Sequence, residues 1–236
     1  MPERVRRAVT FDAAGTLIEA REPIGETYAR IAEKYSARIA AWRLDDAFAR
    51  VWRSTPAMVY PGLAADVSAR REREAWRAIV RQTYLAADSA IRPDDFDACF
   101  EELFAHYATG AAWRARPGAR EALEALQAAR VATAVVSNFD RRLHGILADL
   151  ELKPLLDLIW LPSDAGAAKP DPAIFTSALA ALGIAPERAL HVGNDDERDV
   201  AGARAAGLRA VDVASLATLA DLPALLDREL PETPRR

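Results

Sequence analysis

Short apolar runs bounded by turn residues alternate with stretches of helical periodicity through most of this 236-residue chain. The runs are Ala8 to Phe11, Val131 to Val136, Leu158 to Leu161 and Leu190 to Val192, with a weaker one from Ala210 to Val213. None alternates apolar with polar, as a strand with one wet face would. This is the pattern of strands covered on both faces, as in a parallel sheet. Between the runs, Leu143, Ile146, Leu147 and Leu150 keep the i, i+3, i+4, i+7 spacing of a helix face, and Ile174, Ala178, Leu179 and Leu182 keep it within one position. Asp171 before Pro172 reads as a helix start, Pro117 opens a run ending near Arg130, and Gly183 and Gly207 stand where helices end. The expected fold is therefore α/β, a doubly wound parallel sheet with a Rossmann-like core.

One long segment breaks the alternation. From Glu19 to Arg114 every periodic stretch is helical: Ile24, Tyr28, Ile31, Tyr35; then Leu44, Phe48, Val51, Trp52; then Trp76, Ile79, Val80, Tyr84; then Phe96, Phe100, Leu103, Phe104, Tyr107. An inserted all-helical cap domain is expected over residues 19–114, on an α/β core made of 1–18 and 115–236. Its entry lies near Arg21 to Pro23 and its exit near Arg116 to Gly118. The tail from Pro231 to Arg236 is expected to fray.

Composition narrows the function classes. With 51 % hydrophobic and 28 % charged residues the chain can bury a core of its own, and a net charge of −4 gives no general attraction for nucleic acid or anionic lipid. Cys99 is the one cysteine, without a disulfide partner. No apolar run approaches a membrane span, and MPERVRRAVTFD passes from charge to a short apolar stretch without a signal-peptide core. A soluble, cytoplasmic protein acting on a small molecule is expected; the sequence is silent on oligomeric state.

In open parallel sheets ligands bind beyond the carboxyl ends of the strands, where the strand order reverses. The residues at those ends are Asp12, Gly15 and Thr16 in FDAAGTL; Ser137 and Asn138; Lys169 in GAAKPDP; and Asp195, Asp196, Glu197 and Asp199 in GNDDERD. Lys169 stands out because only three of the 31 basic residues are lysine.

These motifs, in this order and spacing, resemble those of the haloacid dehalogenase superfamily of hydrolases. REPIGETYARI, VVSNFDRRL and KPDPAIF are similar to its rhythmically-expressed-gene branch. The resemblance implies that Asp12 is a nucleophile forming a covalent aspartyl intermediate, that Ser137 and Asn138 contact the transferring group, and that Lys169 neutralises charge on Asp12. Gly15 and Thr16 would shape the loop. Mg²⁺ would be held by Asp12, the carbonyl of Ala14, Asn194, Asp195 and Asp199. The chain departs from the family twice. Ala14 occupies the position of the general acid that family phosphatases carry two residues after the nucleophile, and Gly193-Asn194 replaces the usual Gly-Asp.

Three readings follow: a phosphomonoesterase acting on a small anionic metabolite, a metal-independent 2-haloacid dehalogenase, and a non-catalytic binding member of the fold. Halide leaves unprotonated, so both departures suit the second; against it, that family has Tyr where Ala14 stands. Arg21 at the hinge is expected to contact substrate. Arg70, Arg71, Arg73, Arg77 and Arg81 crowd one helix, either as an anion handle or as a solvated face. His191 is expected to pack or to support the site indirectly, Cys99 to be core, and the five tryptophans to be core as well.

Overall fold

The computed structural model describes residues 7–230; the expected fraying of Pro231 to Arg236, and the first six residues of the charged N-terminal stretch, lie outside them. Five parallel strands form the main sheet: β1 (Ala8–Phe11), β4 (Ala132–Val136), β5 (Leu158–Trp160), β6 (Ala189–Gly193) and β7 (Arg209–Asp212). Two further strands, β2 (Ile18–Ala20) and β3 (Trp113–Ala115), pair antiparallel as a separate ribbon, Ile18 opposite Ala115. The main sheet runs in the order β5-β4-β1-β6-β7. β1 is central, with Phe11 opposite Val135 on one side and Val192 on the other. The chain moves outward from β1 through β4 to β5, then crosses to β6, so the reversal falls beside β1. This is the doubly wound α/β fold expected from the sequence.

Among the described residues ten α-helices accompany the strands. α1 (Ile24–Glu33), α2 (Ala41–Ser54), α3 (Ala65–Ala87) and α4 (Phe96–His106) lie between β2 and β3 in sequence. α5 (Ala119–Ala128) precedes β4, α6 (Leu143–Asp149) follows it, and α7 (Pro162–Ala165) and α8 (Pro172–Leu182) separate β5 from β6. α9 (Gly202–Ala205) and α10 (Leu222–Glu229) flank β7. Both faces of the sheet are covered. Val9, Phe11, Val135 and Val192 pack with Leu123 and Leu126 of α5, Ile146 of α6 and Leu226 of α10. On the other face small side chains, Ala8, Ala132 and Ala189, admit Ile174, Phe175 and Ala178 of α8 to close range. The four inserted helices bury a core of their own around Tyr28, Leu44, Val80, Tyr84, Phe100 and Leu103, and Cys99 lies inside it.

The tryptophans divide, which corrects the expectation that all five are core. Trp113 is buried, Trp52, Trp76 and Trp160 are half-buried, and Trp42 is 69 % exposed. Trp42 falls at the second position of α2, off the stripe of Leu44 and Ala47 that α2 buries. Among the described residues no helix is long and apolar enough to cross a membrane.

Candidate active site

The backbone N–H of Asp12 donates to Val192 O at 2.9 Å, carrying the ladder one residue past β1 and leaving the Asp12 side chain at the rim. Ser137 stands one residue past β4, and its hydroxyl donates to Asp12 Oδ1 at 2.9 Å. Lys169 reaches the same oxygen from the loop before α8: its Nζ donates to Asp12 Oδ1 at 2.6 Å and to Asp199 Oδ1 at 2.5 Å. Asp12, Ser137, Lys169 and Asp199 are all buried. Burial alone would push the Lys169 ammonium toward neutrality, but the two carboxylates outweigh it and raise its pKa, so it stays charged.

Asp199 is saturated with donors. Its Oδ1 faces Lys169 and His191 Nε2, and its Oδ2 accepts from the backbone N–H groups of Asn194 and Asp195 at 3.0 and 3.1 Å. Burial pushes its carboxyl up, yet the His191 and Lys169 contacts win and the pKa falls below the usual carboxylate range. His191 is itself buried, which lowers its pKa and keeps the ring neutral. A neutral ring whose Nε2–H donates to Asp199 must accept at Nδ1, where the Thr10 hydroxyl lies at 2.9 Å. His191 thus supports Asp199 from behind, as the sequence suggested. Gly193 allows this close packing, since a Cβ there would lie 2.3 Å from the Asp199 side chain.

Several expected site residues have different work. Asn138 borders the cavity, but its amide exchanges two bonds with the Lys169 backbone, Nδ2 to O at 2.9 Å and N to Oδ1 at 2.8 Å. It holds the lysine loop. Asp195 caps the π-helical turn Asp196–Ala201, its Oδ1 accepting from the N–H groups of Glu197 and Arg198. Thr16 is fully buried and donates to Asn194 Oδ1 at 3.3 Å, while Gly15, at φ +88°, passes so close to Asn194 that a Cβ would sit 2.8 Å from its Nδ2. Both shape the loop. Arg21 is exposed just beyond β2, its backbone N–H donating to Ala112 O, and it does not border the cavity. The ribbon carries the chain away at that point. Arg70, Arg71, Arg73 and Arg77 pair with Asp66, Glu74, Glu101 and Asp97, and Arg81 lies over the Phe96 ring. They are a solvated, packed helix face and not an anion handle.

A cavity of about 340 Å³ opens over Asp12 between the sheet rim and the inserted helices. Its floor includes Asp12, Ala14, Ser137, Lys169, Asn194, Asp195 and Asp199; its far wall is Ile24, Phe48, Trp52, Trp76 and Trp113 of the inserted segment, with Phe139 bordering it from beyond β4. Arg53 and Arg198 also border it, and neither forms an ion pair among the described residues. Sequence reasoning missed both arginines. Arg53 ends a helix whose stripe draws attention to Phe48 and Trp52, and Arg198 is hidden inside an acidic run.

The donor set for Mg²⁺ is smaller than expected. Asp199 has four donors on its two oxygens, whereas among the described residues Asp12 and Asp195 each engage Oδ1 alone, beside the Ala14 carbonyl and the Asn194 amide oxygen. No cluster of three His, Cys, Asp or Glu suited to a metal occurs among the described residues. Mg²⁺ commonly binds through one or two carboxylates with waters and substrate phosphate completing its shell, so these residues fit it in that reduced, substrate-dependent form.

The comparisons with known proteins agree with this geometry. Haloacid dehalogenase-like hydrolase domain-containing protein 3 of Xenopus laevis is 34 % identical over 205 residues, spanning 86 % of this chain and 82 % of that protein. The rhythmically expressed gene 2 protein of Drosophila melanogaster is 28 % identical over 209 residues, 85 % of this chain and 80 % of its own. Among solved structures, an HAD family hydrolase from Deinococcus radiodurans R1 with bound phosphate and sodium is 26 % identical, covers 99 % of this chain and 100 % of that one, and superposes with a TM-score of 0.66. The family model for haloacid dehalogenase-like hydrolases matches residues 6–207, and the chain belongs to that family.

Proposed function

We propose that this hydrolase cleaves a phosphoric monoester of a small metabolite through an aspartyl-phosphate intermediate on Asp12. One observation carries the reading: Asp12 Oδ1 is held by Lys169 and Ser137, while Oδ2 has no hydrogen bond among the described residues. One oxygen is locked and the other is free to attack. Lys169, Arg53 and Arg198 make the cavity receptive to a phosphoryl group, and the Deinococcus relative carries phosphate.

In the first step Asp12 Oδ2 bonds to phosphorus, and the bond from phosphorus to the leaving oxygen breaks with its electron pair. Ser137 and Lys169 fix the carboxylate in line, and Lys169 offsets the charge gathered there. In the second step a water oxygen bonds to phosphorus, the bond to Asp12 breaks, and the carboxylate is restored; the water's protons pass to the phosphate and to solvent. Mg²⁺, held by Asp12, the Ala14 carbonyl and Asn194, would draw charge from the phosphoryl oxygens when bound. The inserted helices, residues 19–114 by the sequence division, act as the cap that supplies the far wall and selects the substrate.

A second reading, metal-independent dehalogenation of a 2-haloacid, is favoured by the lack of any His, Tyr, Cys or Glu in the lining of the cavity, since halide needs no proton. The test is a panel assayed for phosphate and for halide, with Mg²⁺ and with EDTA, on wild type and Asp12→Asn. Phosphate release lost in Asp12→Asn supports the proposal. Halide release in EDTA transfers the assignment to the dehalogenase, and an active Asp12→Asn rejects both, as does an inert wild type, which leaves the binding-protein reading.

A further inference from the structure

The cavity places two facts side by side. The first is chemical: Ala14 offers no proton, and the lining contains no His, Tyr, Cys or Glu to take its place. Asp195 caps a helical turn through Oδ1, Asp199 is saturated, and Lys169 is committed to two carboxylates. Such a lining suits a leaving oxygen that departs as an anion. An alkoxide does so poorly; an oxygen on an aromatic ring, whose charge spreads into the ring, does so readily.

The second fact is the wall opposite Asp12. Phe48, Trp52 and Trp76 form a stacked ladder, with ring centroids 6.2 and 5.4 Å apart and planes within 7° and 15° of parallel. At those separations parallel rings are slipped sideways, so each leaves part of its face uncovered. Trp52 and Trp76 are half-buried, and the cavity they line is the one that holds Asp12. The Arg142 guanidinium lies 4.9 Å from the centre of the Trp76 ring, and three hydrogen bonds to the Asp140 carboxylate hold it there. The ladder is thus rigid before substrate arrives. A smaller apolar cavity of about 60 Å³ shares Phe48, Trp76, Trp113 and Phe139 with the main one and prolongs the wall among the inserted helices.

We infer that the substrate is an aryl phosphate, its flat ring seated against the Trp52–Trp76 ladder while its phosphoryl group meets Asp12. This rests on the phosphatase reading above. The wall binds the group that can leave without help: aryl oxide departs with the electron pair of the broken phosphorus–oxygen bond and takes a proton from water afterwards.

The test compares 1-naphthyl phosphate, glycerol phosphate and acetyl phosphate, the last a small acyl phosphate with a good leaving group and no ring. Wild type should turn over 1-naphthyl phosphate at least a hundredfold better than glycerol phosphate in kcat/KM. In Trp52→Ala the ratio of kcat/KM for 1-naphthyl over acetyl phosphate should fall about tenfold, chiefly through KM, and Trp52→Phe should restore most of it. Binding of 1-naphthyl phosphate to Asp12→Asn, followed by tryptophan fluorescence, should weaken in parallel when Trp52→Ala is added. If acetyl phosphate is hydrolysed through Asp12 but the ratio stays within twofold in Trp52→Ala, or if glycerol phosphate matches the naphthyl ester, the aryl assignment is overturned while the phosphatase reading stands. If neither acetyl nor naphthyl phosphate is hydrolysed, both fall. Should Trp52→Ala fail to fold, Trp52→Phe and Trp52→Leu carry the same comparison.

Discussion

At the scale of single residues, the site turns on where hydrogen bonds are already committed. Lys169 holds two buried carboxylates together, an arrangement in which losing one partner strands charge and costs about 3 to 5 kcal/mol. Position 14 is the opposite case, a place where chemistry is missing. Ala14 borders the cavity, so Ala14→Asp adds a carboxyl at its wall. General acids contribute about 10² to 10⁴ in rate, and a graft recovers part of this: kcat/KM for glycerol phosphate should rise about tenfold relative to 4-nitrophenyl phosphate. Steady-state assays of both esters check this. Asn194 tests the donor set. Asn194→Asp adds a carboxylate beside Asp12, and calorimetric titration with Mg²⁺ should show tighter binding than wild type. An unchanged dissociation constant would place the metal away from Asn194. Asp12 and Ser137 were legible because each directly follows a strand visible in the apolar pattern; Lys169 lies past α7 and Asp199 within a helical turn, and both were marked by the motifs around them. The clamp that Asn138 makes on the Lys169 backbone and the cap that Asp195 places on its turn were not legible, because they depend on which backbone groups come to face them.

Elements differ in how much signal they carry. α1, α2 and α4 each show an apolar stripe over two or three turns, and the structure has a helix at each. The ribbon of β2 and β3 escaped notice for a simple reason. IEA and WRA are three residues each, too short for a period, and they pair across more than ninety positions of chain. The start of α5 shows how a boundary is enforced. Gly118, its N-cap, has φ +80°, and a Cβ there would lie 2.3 Å from Thr218 Oγ1 and 2.8 Å from Ala220 N. Gly118→Ala combines a left-handed backbone with a clash against the segment leading into α10. It should cost about 2 kcal/mol or more, read from urea unfolding, with Gln127→Ala at an exposed position in the last turn of α5 near neutral as control.

Across the whole molecule, the inserted helices meet the segment just beyond β4 through a polar and aromatic contact. Trp76 Nε1 on α3 donates to Asp140 Oδ2 at 2.5 Å, just beyond β4, and Arg142 lies over Trp76, Phe104 and Phe139. Glu72, one turn before Trp76, is buried at this contact; burial, and then the Asp140 charge, push its carboxyl up. A carboxyl with a raised folded-state pKa favours folding fully below its unfolded pKa and progressively less as pH rises through the folded value. Glu72→Gln removes that loss. Its melting temperature should exceed that of wild type at pH 7 and converge with it near pH 4, and a constant difference across that range would assign the effect to packing.

What is local in this protein was readable from its order of residues. Strands covered on both faces show themselves as unbroken apolar runs, helices as stripes, and the positions after strands as Asp12 and Ser137, because these patterns arise from neighbours a few residues apart. Three-dimensional packing settled the rest. It made Asn138 a clamp and Asp195 a cap, set Arg53 and Arg198 at a cavity shared with Asp12, and stacked Phe48 and Trp52 of α2 on Trp76 of α3 above the nucleophile. Those outcomes depend on which distant donors and rings come within reach. Reach is set by the register of one element on another, which no short window of sequence contains.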